Sequence, residues 1–534
     1  MKFSFKRPEP SAASQFRVAE RSYAIKGAIE SIGDWLAQQR EWVVAIMVVA
    51  LAGVLRLFQL ARLPAGLHPD EARHGIDALS VLSGDIQPFF EGSGDALLSI
   101  LQALSVALLG ETMLALRIVP ALIGILAVWM TYLAARNWLS HRVGLIAALL
   151  MATSPWAVQV SRLSLSAVLL TLLIPLLAWT VHKAITTNKA AWYLVSGVTL
   201  GIGIYADIIF LIIFAAVASI LVFAWFNYRD KLIELKQPII IMLLSMTVVL
   251  LPLLFFLFFE GAQYIERGIT SRISEDYAAA VQELPEAALD TALMLHFNGD
   301  RNYLHNLRGQ PQLNALVGIL LILGTMLCIR RFKDIRYAAL LALSVAMMLP
   351  SVLALDESPH ALLSAGAIPP LMIIAGVGLS ELYMRWRGVF PRNPLPYHAA
   401  MLAIIVVVTT AATYDIQRYF IAWANAPQSF QVHREELMAT ANYINENPIE
   451  GRYIVALDEG NDMAPVDFIA TQGAYQRIPT DEITNYDFLP GDILLIPQVH
   501  EDSDLQIDLT RIDTQNSVYR PQIRLLNVFA TDSE

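Results

Sequence analysis

At 534 residues, 56% hydrophobic and 16% charged, with a mean hydropathy of +0.52, the chain falls outside the range of soluble domains and inside that of polytopic membrane proteins. Its formal net charge of -10 argues against a nucleic-acid partner, which calls for a concentrated basic surface. The single cysteine, Cys328, lies in an apolar run and excludes both an internal disulfide framework and a cysteine zinc pair.

Residues 1–41 carry Lys2, Lys6, Arg7, Arg17, Arg21 and Lys26, with no apolar core or small-residue cleavage site near the start. A cytoplasmic segment is expected here rather than a cleaved signal peptide, its part from 15 to 42 alternating at helical spacing. Residues 42–60 then form the first span. The run 96–109 falls short of the ~20 residues a span needs and is expected to lie along the outer face. Further spans are expected at 113–135, 143–154, 165–181, 192–205, 208–226, 239–259, 313–329, 337–355, 361–384 and 398–416. With these about eleven spans every basic cluster, such as Arg136 with Arg142 or Arg330, Arg331, Lys333 and Arg336, lands on the cytoplasmic side. Counting 96–109 as a span would reverse the later clusters.

This topology sends four polar loops to one outer face: 61–95 with Asp70, Asp85, Glu91 and Asp95; the turn 154–162; the connection 260–312; and 356–360. The first holds Leu67-His68-Pro69-Asp70-Glu71-Ala72-Arg73-His74-Gly75, five ionisable side chains at a membrane edge, where charge is costly unless it works. Trp156 and Trp192 read as interfacial anchors. Asp207, beside Tyr205, is the one tempting charge for a path through the spans, and an outer turn explains it. From about Arg418 the pattern changes. A helix at 433–447, a strand at 452–457, a short helix at 465–472 and a strand at 492–496 predict a small α/β region with a partly parallel sheet. Its scattered acids read as a solvated surface.

The order of a long apolar helix, an outer Asp70-Glu71 loop, the run Leu101 to Gly110, the turn Ser154-Pro155-Trp156 with Ser161-Arg162, the segment Gly299-Asp300-Arg301-Asn302 with His305-Asn306, and Ser358-Pro359-His360 resembles the GT-C membrane glycosyltransferases. The nearest group is the family 39 set that includes protein O-mannosyltransferases and lipid A aminoarabinose transferases. The resemblance implies a transmembrane domain over 42–417, an extracytoplasmic α/β domain over 418–534, and residence in the inner (plasma) membrane. It implies inverting transfer of a sugar from a polyprenyl-phosphate carrier to a hydroxyl or amine acceptor at the outer surface. Asp70 would then be the base and Glu71 would orient the acceptor or the base. Arg162 would clamp phosphate through its planar fork, with His74, Asp95, Arg301 and His360 as further substrate contacts. No spacing assigns a metal, although the outer acids could bind a divalent cation.

Simpler readings stand beside these. Asp70 and Glu71 suit a helix N-terminus after Pro69, Arg162 could snorkel, Arg301 could pair with Asp300 on the surface, and His360 could begin a helix. Where the family carries a Gly-Arg-Glu-Pro-like element and two further arginines, this chain has Gly92-Ser93-Gly94-Asp95, Ser166 and Leu363-Ser364. The alternatives are therefore a degenerate member that binds lipid-linked sugar or a partner without transferring, and a secondary transporter.

Overall fold

The computed structural model describes residues 40–90, 96–260, 277–354, 358–389, 394–449, 451–458, 462–489, 491–497, 512–520 and 523–531. The expected roles of residues 1–39, and of Glu91, Asp95, Asp356, Glu357 and Glu459, lie outside them. Among the described residues, seven helices are long and apolar enough to cross a membrane: Met113–Trp138, Ala167–Thr187, Ile208–Asp230, Lys236–Phe259, Ile335–Leu353, Ala365–Val389 and His398–Trp423. Shorter apolar helices, His141–Thr153, Ala190–Ala206 and Ala315–Arg330, stand at three more expected span positions. Arg40–Leu57 stands at the first. The run read as too short to span is a helix, Ala96–Leu109.

The two ends of this bundle differ in chemistry. At one end the turns are basic: the Arg336 guanidinium donates to Asp334 and to the Trp138 carbonyl, and Arg331 pairs with Glu381 at 2.9 Å. At the other end the polar loops expected on one face meet. Trp156 Nε1 donates to the Ala361 carbonyl (3.0 Å), Gln159 Nε2 to that of Leu304 (2.6 Å), and Trp423 Nε1 to that of Tyr303 (2.7 Å). Trp156 is thus no interfacial anchor. It is 1% exposed and ties the turn after His141–Thr153 to the segment at 361. Asp207 fits the simple account: it is buried and accepts from the Ile209 amide as the cap of a short 3-10 helix.

The helical rod from Pro394 continues through a π-helical turn, Arg418–Trp423, before the α/β region begins. Five strands form one sheet in the order β2-β1-β3-β5-β4, with β1 (Tyr453–Ala456), β2 (Tyr475–Ile478), β3 (Ile493–Pro497), β4 (Ile512–Arg520) and β5 (Ile523–Thr531). β1 pairs in parallel with β2 and β3, and β5 pairs antiparallel with β3 and β4. Alternation sorts the side chains. Ile454, Ala456, Leu494 and Ile496 face one way, while Tyr453, Val455 and Leu495 face helices Glu435–Glu446 and Ala464–Ile469.

That second core does not stop at the sheet. It runs on through Leu67, Ala72 and Ala78 of the Asp70 segment to Ala103, Val106, Ala115 and Leu116 of the helical bundle. Helix Ala464–Ile469 lies so close on helix Pro69–Leu82 that a Cβ at Gly75 would come within 2.6 Å of the buried Phe468 ring. Gly75→Leu is expected to cost about 1–3 kcal/mol by overpacking. A lower midpoint of thermal aggregation in detergent, with new protease sensitivity in the α/β region, checks this.

Candidate active site

The Asp70 helix begins as its sequence dictates. Pro69 supplies a fixed φ at the first turn and needs no amide donor, and His68 precedes it as the cap. The Asp70 amide donates to His68 Nδ1 (3.2 Å), and the His68 amide donates to Glu71 Oε1 (3.3 Å), a reciprocal capping box built with histidine in the serine position. Burial pushes the His68 imidazole down, although Asp70 and Glu71 pull the other way, so the neutral ring serves as acceptor.

Asp70 and Glu71, adjacent in sequence, sit in opposite environments. Glu71 is 0% exposed and faces Arg117, also 0% exposed, at 2.8 Å and 2.9 Å. Glu71 Oε2 also accepts the Ser164 amide (3.0 Å), while Arg117 spends its remaining reach on the carbonyls of Pro64 (2.7 Å) and Gly66 (2.8 Å). Burial alone would raise the Glu71 carboxyl, but the Arg117 guanidinium outweighs it and holds it down at about 2. Both oxygens are engaged, which leaves none for an acceptor. Glu71 ties the loop to the bundle.

Asp70 instead keeps a half-exposed side chain, 49% accessible. Its Oδ1 accepts from Arg73 Nη1 at 2.7 Å, and Arg73 Nη2 pairs with Asp462 of the loop after β1. Asp462 in turn accepts the Ala464 amide at the start of the docked helix (2.9 Å). The α/β region therefore contributes a carboxylate one guanidinium away from Asp70.

The other expected contacts fall out differently. Arg162 is 0% exposed, and its terminal nitrogens donate to the carbonyls of Leu55, Arg56, Phe58 and Leu63 at 2.8–3.0 Å. It neither snorkels nor meets solvent, but closes the end of helix Arg40–Leu57, where the backbone carbonyls lack helical partners. His74 is buried against Ser99 Oγ (2.9 Å), and burial holds it down at about 4, so it carries no charge at neutral pH. Arg301 is exposed, but it is not Asp300's partner. Asp300 is 3% exposed, its Oδ2 accepts from His305 Nδ1 (3.0 Å) and the Ala361 amide (2.7 Å), and its Oδ1 accepts from the Asn302 amide (2.7 Å). His360 lies over His305 with ring centroids 4.4 Å apart. Asp300, His305 and His360 each offer a donor atom, all within 4.8 Å of one another.

Asp70, Arg73 and His68 thus come together at this end of the bundle, beside Asp462. His305, paired with Asp300 and lying against His360, belongs to a second group. Arg117 and Asp462 were missed from the sequence, and Arg73 was singled out there without a partner. An arginine inside an otherwise apolar span was the available signal for Arg117. Asp207 was the one charge singled out as tempting for a path through the spans, and Arg56, Arg117 and Asp415 are buried there as well.

Residues 96–256 match the family model described as dolichyl-phosphate-mannose-protein mannosyltransferase. No curated protein sequence matches the chain. Among solved structures, ArnT from Cupriavidus metallidurans in the apo state aligns with a TM-score of 0.57 at 14% identity, over 91% of this chain and 97% of that one. The same protein bound to undecaprenyl phosphate aligns at 0.54 and 13%, over 91% and 98%. The archaeal oligosaccharyltransferase AglB from Archaeoglobus fulgidus, in complex with an inhibitory peptide and a dolichol-phosphate, aligns at 0.51 and 14%, over 87% and 70%.

Proposed function

We propose that the chain, a multi-pass membrane protein with the GT-C glycosyltransferase fold, transfers a sugar from a polyprenyl-phosphate carrier to an acceptor at the outer face of the membrane, with inversion. The observation that carries the reading is the division of labour between two neighbouring carboxylates. Glu71 is consumed by the fold, whereas Asp70 is held at a helix start, half exposed, where the polar loops converge. An acceptor hydroxyl attacks the anomeric carbon, Asp70 takes its proton, and the bond to the phosphate oxygen breaks with its electron pair leaving on the lipid phosphate. Arg301, one of several exposed arginines in the described part of these loops, serves that phosphate in place of the buried Arg162.

The test is transfer of label from a panel of radiolabelled polyprenyl-phosphate sugars in membranes containing the parent protein. Label leaving the lipid for a new product supports the reading. Donor retention without transfer supports instead a scaffold that binds lipid-linked sugar, the second reading, which the burial of Arg162 favours.

The orientation is tested independently. Cys328 is 0% exposed, so thiol reagents report on introduced cysteines. Asp85→Cys is expected to label from outside in sealed cells and Lys333→Cys only after permeabilisation. The opposite pattern inverts the topology and removes the outer-face assignment.

A further inference from the structure

We propose that Asp462, in the α/β region, is a positioning residue for the candidate base: it fixes one end of the Arg73 guanidinium and, through it, the carboxylate of Asp70. This role rests on Asp70 being the base of the proposed transfer. Arg73 lies one turn along the helix from Asp70 and bridges two carboxylates, its Nη1 donating to Asp70 Oδ1 (2.7 Å) and its Nη2 to Asp462 Oδ2. Asp462 is itself anchored, because its Oδ1 accepts the Ala464 amide (2.9 Å). Helix Ala464–Ile469 in turn is seated on helix Pro69–Leu82 through Phe468, whose ring leaves Gly75 no room for a side chain. The contacts therefore run from a buried apolar joint, through a backbone amide and a guanidinium, to one oxygen of Asp70.

The two oxygens of Asp70 are thereby given different work. Arg73 engages Oδ1. Oδ2 lies 3.5 Å from His68 Nδ1, an atom that accepts the Asp70 amide and so has no proton to donate. Oδ2 is left to take the acceptor's proton. Stability does not account for the bridge: Asp70, Arg73 and Asp462 are 49%, 39% and 31% exposed, and solvated pairs of this kind add little to folding. Orientation does account for it. An exposed pair three residues apart on a helix leaves a long arginine side chain free to swing, and its partner carboxylate with it. A second carboxylate, held by the backbone and placed on the other terminal nitrogen of a planar guanidinium, removes that freedom. A general base works only within hydrogen-bond reach of the proton it takes, so drift at this position falls on the rate.

The experiment measures initial rates in membranes holding the full chain, with the radiolabelled polyprenyl-phosphate sugar that the parent uses, at varied donor concentration. Asp462→Asn keeps an oxygen for the Ala464 amide but presents an NH2 group, a donor, where Arg73 needs an acceptor. It is expected to lower kcat by about 10–100-fold, with the donor KM and the thermal midpoint close to the parent's. Asp462→Glu, which returns the charge, is expected to recover part of that rate. In an Asp70→Asn background, Asp462→Asn is expected to slow transfer no further, because its effect passes through Asp70. A parent-like kcat in Asp462→Asn beside a slow Asp70→Asn, or equal slowing by Asp462→Asn in both backgrounds, overturns the positioning role alone. A parent that moves no label from any donor, or a parent-like rate in Asp70→Asn, removes the base itself and this role with it.

Discussion

Glu71→Ala is expected to lower stability by about 3–5 kcal/mol, enough to abolish recovery of folded protein, because it leaves the Arg117 guanidinium buried and unpaired. The effect belongs to the fold rather than to turnover. Replacing both partners, Glu71→Leu with Arg117→Met, is therefore expected to restore most of the loss, since apolar pairs of similar volume often replace buried ion pairs at little cost. Thermal midpoints of the two single variants and the double variant check this. A double variant as unstable as the sum of the singles defeats the account. The same pair makes a prediction about acid. Because the folded carboxyl sits at about 2, below its ordinary value of 4.5, its contribution is complete above pH 4.5 and is lost as pH falls toward 2. His74, held down at about 4 by burial, adds a loss of the same sign that begins earlier, below pH 6.5. The loss of stability with acid should thus begin near pH 6 in the parent, and His74→Gln should remove its upper part.

Asp70→Asn is expected to slow sugar transfer by about 10²–10⁴-fold while leaving the protein folded and able to retain donor. The substitution is nearly isosteric, and the side chain is half solvated, so the amide can keep the contact with Arg73. What it cannot do is accept the acceptor's proton. Initial rates with a saturating donor, beside donor retention measured by rapid filtration, separate the two effects. A parent-like rate in Asp70→Asn removes Asp70 as the base.

The sequence carried the architecture further than the site. Long apolar runs punctuated by basic turns located every expected span on a helix, because burial in lipid and charge at its edge are one-dimensional signals. The run 96–109 was bounded correctly for the same reason. The division between Asp70 and Glu71 was not legible, since it depends on Arg117, forty-six residues away, turning toward one of two identical-looking neighbours. Arg162 misled because its partners are backbone carbonyls, and carbonyls leave no mark in a sequence. In the α/β region, β1 and β3 were found as continuous apolar runs. β2 exposes Gln476 and Arg477, and the residues of β4 are mostly polar, so neither offers such a run.

The core that passes without a break from the sheet to the Asp70 helix has a consequence for how such a chain is divided. A cut near residue 417 would not free a module. It would split one cooperative unit, baring Val455, Val466 and Phe468 on one piece and Leu67, Ala72 and Ala78 on the other. The expected results are that residues 418–534 expressed alone collect in the insoluble fraction and that the remaining bundle loses the packing that sets the Asp70 helix in place. In inheritance as in folding, the sheet and the helix that carries Asp70 then travel together, and recombination between related chains should favour junctions elsewhere.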